Sequence, residues 1–248
     1  MCTLIVLYRP GHPWPVLLAG NRDEMRDRPW RAPARHWPDR PGVIAGIDAL
    51  AGGSWFGVNN YHVAAAVMNR HDTLGPEPGK RSRGELVLEA LDHADAKAAT
   101  DALLDLDPAA YRPFNLVVAD GNDVYWLRLA HVSKGIEAML LEPGISMITA
   151  YDSNDESSLR VKRYLPQWRN ATAPEPDEED WSVWERLLSD VDSDAGPEGA
   201  MNVVTDAGVG TVSSQLLALP ALNRFGEKPR FRFAAGRPDT TLFKDVPL

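Results

Sequence analysis

The residues best suited to chemistry begin at the second position of the chain. Cys2 is the only cysteine among 248 residues. Loss of Met1, favoured by a small side chain at residue 2, would leave a thiol nucleophile and a free α-amine on one residue. With an unperturbed pKa of about 7.7–8.0, that amine can take the proton of a thiol whose own pKa is about 8.5. Nucleophile and base then arrive together, the activation logic of terminal-amine hydrolases. A lone cysteine on an apolar strand is otherwise a small buried hydrophobe, so its neighbours must decide between the two readings.

The nearest polar neighbours are Asn21-Arg22-Asp23-Glu24. A carboxylate such as Asp23 could hold the α-ammonium, and the Arg22 guanidinium would lower the thiol pKa. Acyl transfer through Cys2 would put negative charge on a carbonyl oxygen, where one hydrogen-bond donor is worth about 2.7–4 kcal/mol. Asn69 could donate there, although Asn69-Arg70-His71-Asp72 also reads as the start of a loop. Asn21 and the stretch containing Asp152 and Asn154 are further candidates for substrate contact. The latter stretch equally suits an Asx turn capping a helix near Ser157.

These groups must be positioned by the elements around them. Residues 2–8 are β-branched and apolar and predict a strand buried on both faces. Arg9-Pro10-Gly11-His12-Pro13 ends it with turn chemistry, and residues 14–20 predict a second strand paired with the first. The 21–24 motif is then expected as a turn delivered beside Cys2, and the Arg-rich stretch 22–40 as a surface loop. Residues 43–48, 54–59 and 61–68 predict strands, with Asn69 after the last. Ser82-Arg83-Gly84-Glu85 has capping-box spacing and opens a helix, and 94–104 predicts another. Strands follow at 114–120 and 124–130 around a hairpin signal, then at 136–141 and 145–150. Helices are expected from residue 157 up to Pro166 and over 181–188, with closing strands at 212–219 and 230–234. The acidic, proline-containing 172–180 and the stretch 192–199 read as loops. Strands in two groups separated by helices suit two sheets with helices outside.

With Cys2, Asn21-Arg22-Asp23-Glu24, Arg28-Pro29, Gly52-Gly53-Ser54-Trp55-Phe56-Gly57 and Arg83-Gly84-Glu85-Leu86 in this order, the chain resembles the NRDE family, also called the transport and Golgi organisation protein 2 family. That family is similar to cysteine-type N-terminal nucleophile hydrolases, which include bile salt and penicillin V amidases. The resemblance implies an α+β fold, a four-layer αββα sandwich of two mainly antiparallel sheets between helices. It also implies hydrolysis of a non-peptide carbon–nitrogen bond, with Asn69 in the place of the oxyanion asparagine. Asp152 or Asn154 would stand where the amidases carry a second asparagine. Two departures stand out: the leucine-serine-asparagine triplet of many members is absent near Asp152, and Val212 follows Gly210-Thr211 where many carry arginine.

Composition narrows the alternatives. A hydrophobic share of 44% over 248 residues supports a sizeable core, expected as one domain over 1–248. A net charge of −9 argues against nucleic acid, whose binding needs clustered Lys and Arg. One cysteine excludes internal disulfides. No apolar run is long enough to span a bilayer and no signal-peptide pattern opens the chain, so a cytoplasmic location is expected. Histidine spacing predicts no catalytic zinc, and no cofactor is expected. The reading is thus an N-terminal-cysteine amidohydrolase of a small molecule, with a homo-oligomer compatible. Its alternative is a carrier or trafficking protein for haem or a hydrophobic metabolite on the same scaffold, its pocket lined from the eight tryptophans.

Overall fold

Alternating apolar runs build two antiparallel sheets. In the computed structural model the strands are, in chain order, β1 (Thr3–Tyr8), β2 (Val16–Met25), β3 (Trp30–Ala34), β4 (Val43–Asp48), β5 (Phe56–Asn59), β6 (Ala64–Asn69), β7 (Phe114–Ala119), β8 (Val124–Leu129), β9 (Glu137–Leu140), β10 (Gly144–Ile148), β11 (Val209–Leu219), β12 (Arg230–Ala234) and β13 (Lys244–Asp245). Among the described residues four α-helices accompany them: α1 (Gly84–Ala90), α2 (Ala96–Leu104), α3 (Leu159–Asn170) and α4 (Ser182–Leu188). The structure describes residues 2–192 and 194–248. Met1, whose removal the sequence reading requires, and Ser193, within the predicted 192–199 loop, lie outside them.

One sheet runs β10-β1-β2-β11-β12-β13 and the other β3-β4-β5-β6-β7-β8-β9. Leu4, Val6, Leu18, Phe56, Ala66, Val117 and Leu217 fill the space between the sheets. The opposite face of the first sheet (Ile5, Leu17, Ala19, Leu216) packs under Val161, Leu165 and Trp168 of α3 and Trp184 and Leu188 of α4. The outer face of the second sheet meets Leu86, Val87 and Ala90 of α1 and Ala99 and Leu103 of α2. The central strands, such as β1 and β7, are apolar on both faces because each face is covered. The result is the αββα sandwich expected from the sequence. Among the described residues, no helix is long and apolar enough to cross a membrane.

Three local expectations are corrected. The 21–24 motif is not a turn: β2 continues through it to Met25, because its polar side chains find buried partners and the backbone keeps its ladder to β11. The 22–40 stretch contains β3, an edge strand whose mostly exposed Trp30-Arg31-Ala32-Pro33-Ala34 gives no clean alternation. Helix α3 does not stop at Pro166 but runs on to Asn170. Interior proline costs a helix about 3 kcal/mol, and burying Tyr164, Leu165 and Trp168 on the first sheet outweighs it.

Candidate active site

The register of the first hairpin places the chemistry. Thr3 pairs with Asn21 and Leu4 with Gly20, so Cys2 lies beside Arg22. Side chains alternate along a strand. Leu4 and Val6 of β1 and Val16 and Leu18 of β2 face the second sheet, and Cys2 packs on that same cluster. Arg22 shares this face: its guanidinium lies 4.3 Å over the ring of Trp55, which the turn at Gly53 and Ser54 brings in from the second sheet. Asn21 and Asp23 therefore point the other way, beneath α3 and α4. The tetrapeptide is split across the sheet, one half toward a cleft and the other toward the helices.

On the cleft side, Cys2, Leu4, Arg22, Trp55, Met68 and Gln215 line a narrow space with room for little more than a water molecule. The Cys2 thiol donates to the Asp23 backbone carbonyl, Sγ to O 3.6 Å. Burial pushes the thiol above its ordinary range, the Asp23 charge adds to this, and the Arg22 guanidinium pulls it back. Burial in turn lowers the Arg22 guanidinium, while Cys2, Glu24 and Asp48 hold it up. Arg22 Nη2 lies 3.5 Å from Glu24 and 3.6 Å from Asp48, and Nη1 is buried with no protein acceptor.

On the helix side, the Asp23 side chain is fully buried and pairs with Arg160 of α3 at 3.0 Å. Thr211 Oγ1 donates to the other carboxylate oxygen at 2.6 Å, and Arg160 Nη1 also donates to Thr3 Oγ1 at 2.5 Å. The ladder between β2 and β11 shifts register between Thr211 and Ser213. Val212 is the extra residue of this bulge, so Thr211 faces Asp23 while Ser213 faces the cleft layer. Arg160 thus supplies a guanidinium to the corner beside the Val212 bulge. Asn21 Nδ2 donates to the carbonyls of Leu188 and Met201, each at 2.9 Å, and its Oδ1 accepts from Ser214. That amide fastens α4 to the sheet.

The other sequence candidates lie further out. Asn69 ends β6, one residue beyond the cleft-wall Met68, and is not itself a wall residue. Asp152 holds two arginines: Arg70 donates to it at 2.8 Å, and Arg128 pairs with its other oxygen. Asn154 sits in the left-handed region at φ 60° and extends the edge of β10. Its backbone N–H donates to Met147 at 2.9 Å and its Oδ1 accepts from the Met147 N–H at 2.8 Å. Asparagine suits both demands, tolerating that backbone and capping the strand edge. Neither Asp152 nor Asn154 lines the cleft.

Sequence reasoning missed Trp55, Gln215 and Arg160. Arg160 left a trace, a cation on the stripe of Val161, Tyr164, Leu165 and Trp168 that α3 buries; buried arginines are paired. Gln215, directly before the apolar run Leu216–Leu219 of a buried strand, left a similar trace. A larger hollow, about 290 Å³, opens between Trp181, Lys228, Arg230 and Leu248. None of its lining residues is shared with the Cys2 cleft, and Lys228 is bonded to the Leu248 carbonyl.

The family model described as transport and Golgi organisation 2 matches residues 1–207. No curated protein sequence matches. Among solved structures, the Caenorhabditis elegans N-acylethanolamine-hydrolyzing acid amidase ortholog superposes with a TM-score of 0.56 at 15% identity, covering 99% of this chain and 100% of that one. Penicillin V acylase from Agrobacterium tumefaciens gives 0.59 at 13% identity, covering 99% and 86%. A variant of conjugated bile acid hydrolase from Clostridium perfringens gives 0.54 at 10% identity, covering 100% and 97%. At these identities the likeness establishes the fold alone, that of N-terminal nucleophile hydrolases.

Proposed function

This chain belongs to the transport and Golgi organisation 2 family, and from that premise we propose that it is an N-terminal-cysteine amidohydrolase acting in the cytoplasm on a non-peptide C–N bond of a small molecule. The observation that carries the reading is the placement of the Cys2 sulfur on a cleft shared with the buried Arg22. After removal of Met1, the α-amine takes the thiol proton as sulfur attacks the substrate carbonyl. Asn69 and a backbone N–H steady the oxyanion; Asn69 shares the outer face with Phe114, opposite Met68, so its amide reaches the oxyanion when the last rung of β6 opens. The amine passes its proton to the leaving nitrogen as the C–N bond breaks, leaving a thioester on Cys2. Water attacks the thioester, releasing the carboxylic acid and restoring the thiol. Arg22 favours the thiolate, and Asp23, fixed by Arg160, sets the corner in which the amine works.

The test is turnover by Cys2→Ala and Cys2→Ser variants over a panel of acylated amines and amino acids, with intact mass reporting Met1 and any acyl adduct. Loss of activity in the alanine variant, with an adduct only when sulfur is present, is the expected result. Unchanged turnover in both variants would end the proposal.

One observation favours the carrier alternative: burial raises the Cys2 thiol, as suits an inert cysteine. Yet Trp14, Trp168 and Trp184 are packed between the first sheet and its helices, not around a cavity, and of this group Trp181 alone borders the hollow beside Lys228. A haem titration without a spectral shift would count heavily against the haem form of this alternative.

A further inference from the structure

Three cleft-lining side chains hold a buried polar atom that no protein group satisfies: Arg22 Nη1, Trp55 Nε1 and Gln215 Oε1. Gln215 is 4% exposed, on a strand that is apolar from the next residue through Leu219. Leaving such an amide unpaired is costly, and native proteins satisfy nearly all of them. The surrounding backbone makes room for it. Gln215 pairs with Gly20 across the β2–β11 ladder, and any Cβ at Gly20 would stand 3.0 Å from Gln215 Nε2 and 2.9 Å from the Thr3 carbonyl. A side chain at residue 20 would push the amide aside. The Leu4–Gly20–Gln215 row is the next one inward from Cys2 and Arg22, so whatever meets Gln215 lies one step deeper than the sulfur.

We infer that Gln215 is a specificity-determining residue that reads a neutral hydroxyl or amide on the acyl portion of the substrate, one or two atoms beyond the scissile carbonyl. The inference rests on the hydrolase reading and adds the substrate class: short polar acyl groups, not aliphatic chains. A hydroxyl meets the local demand, accepting from Arg22 Nη1 or Trp55 Nε1 and donating to Gln215 Oε1. Neutrality follows from the charge around Arg22. Arg22 and Arg28 face Glu24 and Asp48, two cations against two anions, with separations of 2.7–3.6 Å. At Arg22 itself no uncompensated positive charge is left to attract a carboxylate; Arg83, the next guanidinium near Cys2, is engaged by Thr73 and the Pro113 carbonyl. Narrowness excludes long chains.

Binding tests this without turnover. In the full-length Cys2→Ala chain, the Trp55 indole N–H resonance, assigned with Trp55→Phe, is followed while glycolamide or propionamide is added. The two probes have the same shape and differ by a hydroxyl against a methyl. Glycolamide is expected to bind about tenfold more tightly, as one hydrogen bond to a buried amide allows. Gln215→Leu is expected to bring the ratio to about one, and Gln215→Met serves if the leucine variant does not fold. Equal or tighter binding of propionamide, a ratio that survives in the Gln215 variants, tighter binding of malonamate than glycolamide, or no response of Trp55 to either amide would each overturn it. Because Cys2 is absent, a lack of hydrolysis by the native chain would sink the hydrolase reading and leave this ratio standing.

Discussion

Burial and several charges compete for the Cys2 proton. Burial and Asp23 favour the neutral thiol; the terminal ammonium, the bond to the Asp23 backbone carbonyl and Arg22 favour the thiolate. The wild-type thiol should therefore titrate above the ordinary cysteine value of about 8.5. Removing the guanidinium in Arg22→Met should move it higher still. Iodoacetamide alkylation followed across pH reads both, and an Arg22→Met profile that does not shift upward would remove Arg22 from the electrostatics of the thiol. Beneath the sheet the stakes concern folding. Arg160→Met would leave the fully buried Asp23 charge without its guanidinium, and breaking such a pair costs about 3–5 kcal/mol. Urea unfolding should show that loss, with the Arg160→Met, Asp23→Asn double variant recovering part of it.

At the level of elements, the cleft wall depends on how closely α1 meets the turn before β5. Ser54 N–H donates to the Gly84 carbonyl at 3.0 Å, and a Cβ on Gly53 would stand 2.5 Å from the Gly84 carbonyl carbon. Gly53→Ala should therefore force the two backbones apart, costing about 1–3 kcal/mol and lowering Tm by roughly 2–12 °C; an unchanged melt would show that the turn can yield. The Gly52-Gly53 pair was readable as a turn and the Ser82–Glu85 spacing as a helix start, and Glu85 does accept from the Ser82 N–H at 3.3 Å. The core strands were readable too, since runs such as residues 114–119 and 124–129 bury nearly every side chain. Polar strands were not: Asn21 to Glu24 read as a turn because their partners, Arg160, Thr211 and Trp55, come from distant parts of the chain. Cys2 and Arg22 were legible from residue type and spacing. Gln215 and Trp55 became site residues only when two sheets faced each other.

Across the whole molecule, the sheets are tied together at the end where Cys2 lies. Asn115 of β7 pairs in register with the cleft-wall Met68. Its Nδ2 donates across to the Thr149 carbonyl at 2.9 Å and the Tyr151 carbonyl at 2.7 Å, just beyond β10. Arg70 donates at 2.7 Å to the Asn115 oxygen and so links this clamp to Asp152. Asn115→Ala should cost about 1–3 kcal/mol through the carbonyls left unsatisfied and speed amide hydrogen exchange around residues 149–154. Unaltered exchange there would mean that packing alone closes this end. Selection, meanwhile, can act separately on adjacent letters of one short word. Decay of catalysis would release the guanidinium that looks toward the sulfur, but not the carboxylate that anchors the helical roof. A descendant that had given up its reaction would then keep the aspartate and mutate the arginine, and that asymmetry would separate retired members of the lineage from working ones.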